Sequence, residues 1–132
     1  PAQLWWFLTP GVGELAYTSL RRSQDEAFAT LRPYYADLDA LPAADREFLR
    51  ERVWARVWSD GQRRAFLSAL RWLAVERALR APQLRARVTG LAVPTLVVWG
   101  EHDRIVPRGA ADDLLTLVSG ARLEVVPGAG HL

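Results

Sequence analysis

The sequence of 132 residues lacks cysteine altogether and contains only two histidines. Without cysteine, this chain cannot itself form a disulfide bond, bind a metal through thiolates or supply a cysteine nucleophile. Two histidines without cysteine also argue against a metal site built from this chain. We therefore predict no metal and no other cofactor.

Lysine is absent as well, so all seventeen basic residues are arginine. The arginines are interspersed with fifteen acidic residues, which leaves a formal net charge of +2. A nucleic-acid-binding surface needs basic residues concentrated on one face. We interpret the arginines as the codon bias of a GC-rich genome and expect no nucleic-acid partner.

Long apolar runs are missing too. No run approaches the about 20 residues of a membrane helix, and the opening "PAQLWWFLTP" lacks the basic start and long apolar centre of a signal peptide. Half of the residues are hydrophobic and 24% are charged, which is typical of a folded soluble chain. We expect a soluble, cytoplasmic protein with no membrane span, and the sequence predicts no particular oligomeric state.

The amino-terminal two thirds of the chain have helical patterns. Ser23, followed three residues later by Glu26, is a capping-box pattern that predicts the start of a helix. Residues 43–58 place apolar side chains at helical spacing, with arginine and glutamate between them, and predict a second helix.

A further helix is expected after an interruption at Asp60 and Gly61. It is predicted to end near Pro82, with a separate short helix over residues 84–88, because proline disfavours a helix interior. Gly90 closes this part of the chain, so we predict a helical segment over residues 1–90 and a second segment over residues 91–132.

The second segment alternates strand, helix and strand. The run "PTLVVW" at residues 94–99 predicts a parallel strand buried on both faces. "GAADDLLTLVSG" predicts an amphipathic helix, and residues 122–126 predict a second strand. This order indicates an α/β fold with a parallel βαβ unit, whose crossover we expect to be right-handed.

Asp103 lies just past the first strand and His131 just past the second. Neighbouring strands lie about 5 Å apart, so these loops could bring a carboxylate and an imidazole into contact. Such a pair supports nucleophilic catalysis, because the carboxylate orients the imidazole that acts as the base. The alternatives are an aspartate that caps its own turn and a histidine that merely ends a strand. Glu101 as the acid or His102 as the base are weaker alternatives.

Two motifs, "VPTLVVWGEHDRIVP" and "LEVVPGAGHL", together resemble the carboxyl-terminal part of the α/β-hydrolase superfamily. The resemblance implies a fragment of that fold, with a helical cap followed by the last two strands. It also implies that Asp103 is the acid and His131 the base of a catalytic triad.

The family's nucleophile belongs to a G-x-S-x-G type elbow, and no serine of this sequence has that pattern. The sequence also lacks an initiator methionine and stops directly after His131 and Leu132. We therefore expect a fragment whose nucleophile, serine or aspartate, lies upstream. We expect this piece alone to be inactive and only marginally stable, since two parallel strands leave uncovered edges.

Aromatic side chains in the helical segment are candidates for substrate binding, namely Trp54, Trp58, Tyr34 and Tyr35. Core packing is the simpler interpretation of the tryptophans. A cap lined by these rings would suit a small apolar substrate. The epoxide-opening branch of the family implies a further role, in which Tyr34 or Tyr35 donates a hydrogen bond to a leaving oxygen.

Our first hypothesis is a hydrolase that cleaves an ester or related bond in a small apolar molecule. Ester, epoxide and haloalkane chemistry all remain open. The alternative is a non-catalytic, partner-binding helical module in which Asp103 and His131 are incidental.

Overall fold

A computed structural model describes residues 5–132 of the chain. It divides into two compact units, the first comprising residues up to Leu31 together with Leu38–Leu79, and the second Arg32–Asp37 together with Arg80–Leu132. The helices are α1 (Trp5–Leu8), α2 (Val12–Ser19), α3 (Gln24–Ala29), α4 (Ala43–Trp58), α5 (Asp60–Thr89) and α6 (Gly109–Leu117); the strands are β1 (Leu96–Gly100) and β2 (Arg122–Val126); short 3₁₀ helices cover Leu20–Arg22 and Arg32–Tyr34.

The first unit packs its helices around a small apolar core. Buried members of this core include Tyr17, Phe28, Val53 and Leu67. The predicted helix over residues 43–58 is confirmed as α4. The predicted start at Ser23 is confirmed too, because its Oγ accepts a hydrogen bond of 3.2 Å from the amide of Glu26 at the beginning of α3.

The break between α4 and α5 falls at Ser59, slightly before the predicted interruption at Asp60 and Gly61. Arg21 joins the two helix ends, since its Nε donates to the carbonyl of Val57 at 2.8 Å and its Nη2 contacts Asp60 Oδ1 at 2.7 Å. This hydrogen bond from Arg21, with the charge of nearby Arg63, lowers the pKa of Asp60 below its ordinary value. The guanidinium of Arg21 thus donates to a carbonyl at the carboxyl end of α4 and pairs with the carboxylate of Asp60, the first residue of α5.

The predicted end of α5 at Pro82 and the separate helix over residues 84–88 are wrong, because α5 continues from Asp60 to Thr89 through the proline. Pro82 has no amide proton, so the helix loses the bond to the carbonyl of Ala78. The flanking residues are mostly alanine, leucine, arginine and glutamine, whose high helix propensity favours continuation. Within residues 5–132, no helix has both the length and the apolar character needed to cross a membrane.

In the second unit, β1 and β2 pair in parallel, with Leu96 opposite Arg122 and Gly100 opposite Val126. Helix α6 connects the strands, which confirms the predicted βαβ unit. The prediction that β1 is buried on both faces is wrong for this chain. Val97 is half-buried, but Leu96 and Val98 on the opposite face are 55% and 58% exposed, because within residues 5–132 no element covers that face.

Candidate active site

The carboxyl ends of β1 and β2 form one edge of the sheet, at the paired residues Gly100 and Val126. The loop after β1 carries Asp103, and the loop after β2 carries His131. Because both loops leave the same edge, the fold brings together two residues that are distant in the sequence. Parallel sheets place their functional groups at this edge.

The Asp103 carboxylate contacts the His131 imidazole, with 2.9 Å between Oδ2 and Nδ1. The other carboxylate oxygen, Oδ1, accepts hydrogen bonds from the amides of Ile105 at 2.8 Å and Val106 at 3.0 Å. The Asp103 side chain is only 7% exposed, whereas that of His131 is 35% exposed. Asp103 therefore caps its own turn and also binds the histidine, and its catalytic role stays a prediction.

Electrostatics favours the ionised form of Asp103. Partial burial by itself would raise the pKa of this carboxyl, but the hydrogen bonds from His131 and from the amides of Val106 and Ile105 outweigh it and hold the pKa below its ordinary value. A carboxylate accepts only, so Nδ1 of His131 carries the proton of this hydrogen bond. The neutral ring then presents Nε2 as a proton acceptor on the side away from Asp103.

Tyr34 also contacts His131. Its carbonyl oxygen accepts hydrogen bonds from the amides of His131 at 2.8 Å and of Leu132 at 2.9 Å. The two rings lie 5.9 Å apart between centroids, tilted by 57°. The main chain of Tyr35 lies beside Gly130, where an added Cβ would be 2.7 Å from the Tyr35 carbonyl carbon. Tyr34 therefore lies in contact with the histidine, and Tyr35 contacts the residue before it through the main chain.

Trp54 and Trp58 lie on α4 in the first unit and pack against each other. Their ring centroids are 5.7 Å apart in an edge-to-face arrangement at 83°. The guanidinium of Arg21 lies 5.1 Å from the centre of the Trp58 ring. These contacts are those of a packed aromatic pair, and the substrate-binding role of the two tryptophans stays a prediction.

Glu101 and His102, the two alternatives for the catalytic roles, have other contacts. The Glu101 Oε2 atom accepts a hydrogen bond of 2.8 Å from the amide of Gly128. The His102 side chain is 54% exposed, with its Nε2 3.9 Å from that same oxygen. Sequence reasoning missed the bond from Glu101 to Gly128, and no local pattern signals it. Among residues 5–132, no group of three or more potential metal ligands occurs.

Two proteins of known name are similar to part of this chain. A 2-hydroxy-6-oxononadienedioate/2-hydroxy-6-oxononatrienedioate hydrolase from Klebsiella pneumoniae is 38% identical over 50 residues, which are 38% of this chain and 17% of that protein. A non-heme haloperoxidase from Rhodococcus erythropolis is 50% identical over 40 residues, which are 30% of this chain and 15% of that protein. The matched part is thus a small share of either protein.

A solved structure of a 2-hydroxy-6-oxo-6-phenylhexa-2,4-dienoate hydrolase from Rhodococcus sp. strain RHA1 has the same fold. It superposes with a TM-score of 0.63 at 20% identity, over 89% of this chain and 42% of that protein. The chain therefore spans less than half the length of this relative. The family model for the alpha/beta hydrolase fold matches residues 19–132. With most of its residues matched, the chain belongs to the alpha/beta hydrolase fold family.

Proposed function

We propose that this chain supplies the acid and the histidine of the catalytic triad of a hydrolase, with Asp103 as the acid and His131 as the base. The observation that supports this most directly is the contact of 2.9 Å between Asp103 Oδ2 and His131 Nδ1 at the carboxyl edge of the sheet. A partner-binding module would not need a buried carboxylate aimed at a half-exposed imidazole.

In this mechanism, His131 Nε2 takes a proton from the attacking hydroxyl group or water and later donates it to the leaving group. Asp103 keeps the ring in the required tautomer and stabilises the imidazolium that forms. The nucleophile and the oxyanion-hole donors come from other parts of the full-length protein. The 132 residues alone are therefore expected to show no turnover.

For the substrate, we propose a small and largely apolar molecule whose cleaved bond adjoins a carbonyl group. Simple esters fit this description. The name of the Klebsiella hydrolase specifies a 2-hydroxy-6-oxo dienedioate and the corresponding trienedioate, and that of the Rhodococcus hydrolase a 2-hydroxy-6-oxo dienoate, so we include 2-hydroxy-6-oxo polyene acids. The Tyr34 ring beside His131 supports a role of Tyr34 in the substrate site, and we propose Tyr35, Trp54 and Trp58 as further binding residues.

The test uses the full-length protein that carries this chain, with a short-chain nitrophenyl ester and 2-hydroxy-6-oxo-6-phenylhexa-2,4-dienoate as the two substrates. We expect hydrolysis of at least one of them. His131→Ala should lower kcat by about 10³-fold or more, and Asp103→Asn by at least about 10²-fold. His102→Ala is the matched control and should keep kcat near the wild-type value. Full activity in His131→Ala would contradict the proposal.

A further inference from the structure

Past the end of β1, the chain makes main-chain hydrogen bonds with the end of β2 and with the loop that carries His131. The amide of Glu101 donates to the carbonyl of Val126 at 3.1 Å, and the amide of His102 donates to the carbonyl of Ala129 at 2.8 Å. These two bonds hold the loop after β2 against the loop after β1.

The side chain of Glu101 adds a third connection. It accepts a hydrogen bond from an amide of the turn after β2 that has no acceptor within the turn itself. Val126 and Ala129 close this turn with a long hydrogen bond of 3.4 Å. Pro127 stands at its second position and Gly128, with φ of +68°, at its third, as type II turns favour. Such a turn makes no use of the amide at its third position. In this chain that amide donates to Glu101 Oε2 at 2.8 Å.

The turn directs the chain toward the candidate base. His131 follows Gly128 by three residues, while Asp103 is fixed separately by the amides of Ile105 and Val106. A shift of the turn would therefore move the imidazole relative to a stationary carboxylate. Displacements of about 1 Å at a catalytic group can cost about 10²-fold in rate.

We infer that Glu101 is a positioning residue, which fixes the turn at Gly128 so that His131 faces Asp103; the inference rests on the proposed hydrolase function. The loop after β1 then has two carboxylates with separate tasks. Asp103 holds the ring of the histidine, whereas Glu101 holds the turn before it, in addition to the Tyr34 carbonyl that accepts from the His131 amide.

The exposure of Glu101 separates positioning from a general contribution to stability. Its side chain is 52% exposed, so water competes for the bond to Gly128 and the bond adds little to the stability of the whole fold. Loss of this hydrogen bond is therefore expected to change the local geometry and the catalytic rate more than the free energy of global unfolding.

The experiment compares Glu101→Ala, which removes the acceptor, with Glu101→Gln, which keeps an amide oxygen in its place. Glu124→Ala, at an exposed glutamate on β2, is the matched control. In the full-length protein that carries this chain, NMR measures hydrogen exchange at the Gly128 amide and the Nδ1 proton signal of His131. In the full-length protein, kcat and KM are measured for an ester substrate.

For Glu101→Ala we expect about fivefold faster exchange at Gly128 and a weakened His131 Nδ1 signal. We also expect kcat to fall by about tenfold with KM within about twofold of wild type. Glu101→Gln should restore most of each value, and Glu124→Ala should match wild type throughout.

Failure of the proposed function has its own signature. If His131→Ala and Asp103→Asn leave hydrolysis unchanged, the triad proposal fails and the two NMR readouts alone decide the role of Glu101. If Glu101→Ala leaves Gly128 exchange and the His131 signal as in wild type, the positioning role is overturned. It is also overturned if the variant only unfolds more readily while the kcat of its folded fraction is unchanged.

Discussion

The carbonyl oxygen of Gly130 occupies the space that a Cβ atom on Gly100 would need. Gly130 is itself confined, because an added Cβ there would lie 2.5 Å from the amide nitrogen of Ala36 and 2.7 Å from the carbonyl oxygen of Tyr34. The main chain at Gly130 is therefore in direct contact with two other main-chain segments, one at Gly100 and one at residues 34–36. The glycines are required by this close approach, and neither has a positive φ.

Gly100→Ala should destabilise the fold, because the opposing atoms are main chain and cannot turn away as a side chain could. We expect a loss of about 2 kcal/mol or more in the free energy of unfolding, measured by urea denaturation. Gly109→Ala is the control, since no atom lies within 4 Å of its added Cβ and alanine favours the first turn of α6. Equal stability of Gly100→Ala and wild type would contradict this close packing.

Asp103→Asn should lose stability in a pH-dependent way. The pKa of Asp103 lies below its ordinary value in the folded chain, so the ionised carboxylate stabilises the fold above about pH 4. This contribution is lost as the pH falls through the folded-state pKa. The hydrogen bond to His131 suggests a difference of about 1 to 2 kcal/mol at neutral pH.

Urea denaturation of wild type and Asp103→Asn between pH 7 and pH 2 measures this difference. It should be largest at neutral pH and diminish below about pH 4. Asp113→Asn, at an exposed aspartate on α6, is the control and should follow wild type. A difference that stays constant down to pH 2 would show that the carboxylate charge of Asp103 is not the cause.

The pairing of Asp103 with His131 could be predicted from sequence because it depends on local patterns. Each residue follows a recognisable strand, and parallel strands end at the same edge of a sheet. The contact of Glu101 with Gly128 joins residues 27 positions apart, and that of Tyr34 with His131 crosses still more of the chain. Such contacts depend on where loops meet in space, which no local pattern encodes.

The continuation of α5 through Pro82 escapes sequence prediction for another reason. A single proline predicts a helix end, whereas a helix forms or ends on the sum over many residues. The long run of good helix formers on both sides of Pro82 exceeds that single penalty.

Pro82→Ala should therefore stabilise α5, because alanine restores the missing amide donor to the carbonyl of Ala78. We expect a gain of about 1 to 3 kcal/mol, measured as a higher midpoint in thermal unfolding followed by circular dichroism. Pro107→Ala, in the loop before α6, is the control and should give no comparable gain. An unchanged or lower midpoint for Pro82→Ala would argue against a continuous helix through this residue.

Glu14, in the first turn of α2, has an unusually acidic carboxyl group. Hydrogen bonds from both terminal nitrogens of Arg71, at 2.9 and 3.0 Å, are the main cause. Together with the bonds from the Glu14 amide and the Gly11 amide, they outweigh burial and lower the pKa of Glu14 to about 2. Carboxyl NMR should give a titration midpoint near this value.

Arg71→Gln should move the midpoint of Glu14 upward, toward the ordinary value of 4.5, because it removes the bidentate ion pair. The folded-state pKa is depressed, so the ionised Glu14 stabilises the first unit above about pH 4 and this effect is lost as the pH approaches 2. Arg22→Gln, at an exposed arginine, should leave the midpoint in place. A Glu14 midpoint near 4.5 in wild type would contradict the pairing.

The uncovered face of β1 should govern the solubility of the 132-residue chain. Leu96 and Val98 are 55% and 58% exposed, and contiguous apolar surface of this kind promotes association. Val98→Thr keeps a β-branched residue, which suits a strand, and replaces one methyl group by a hydroxyl group. It should reduce binding of an apolar dye and raise the solubility limit without a loss of stability.

Val97→Thr, on the half-buried face, should instead destabilise the sheet by about 1 kcal/mol or more. If the two variants behaved alike, the two faces of β1 would not differ as the structure indicates.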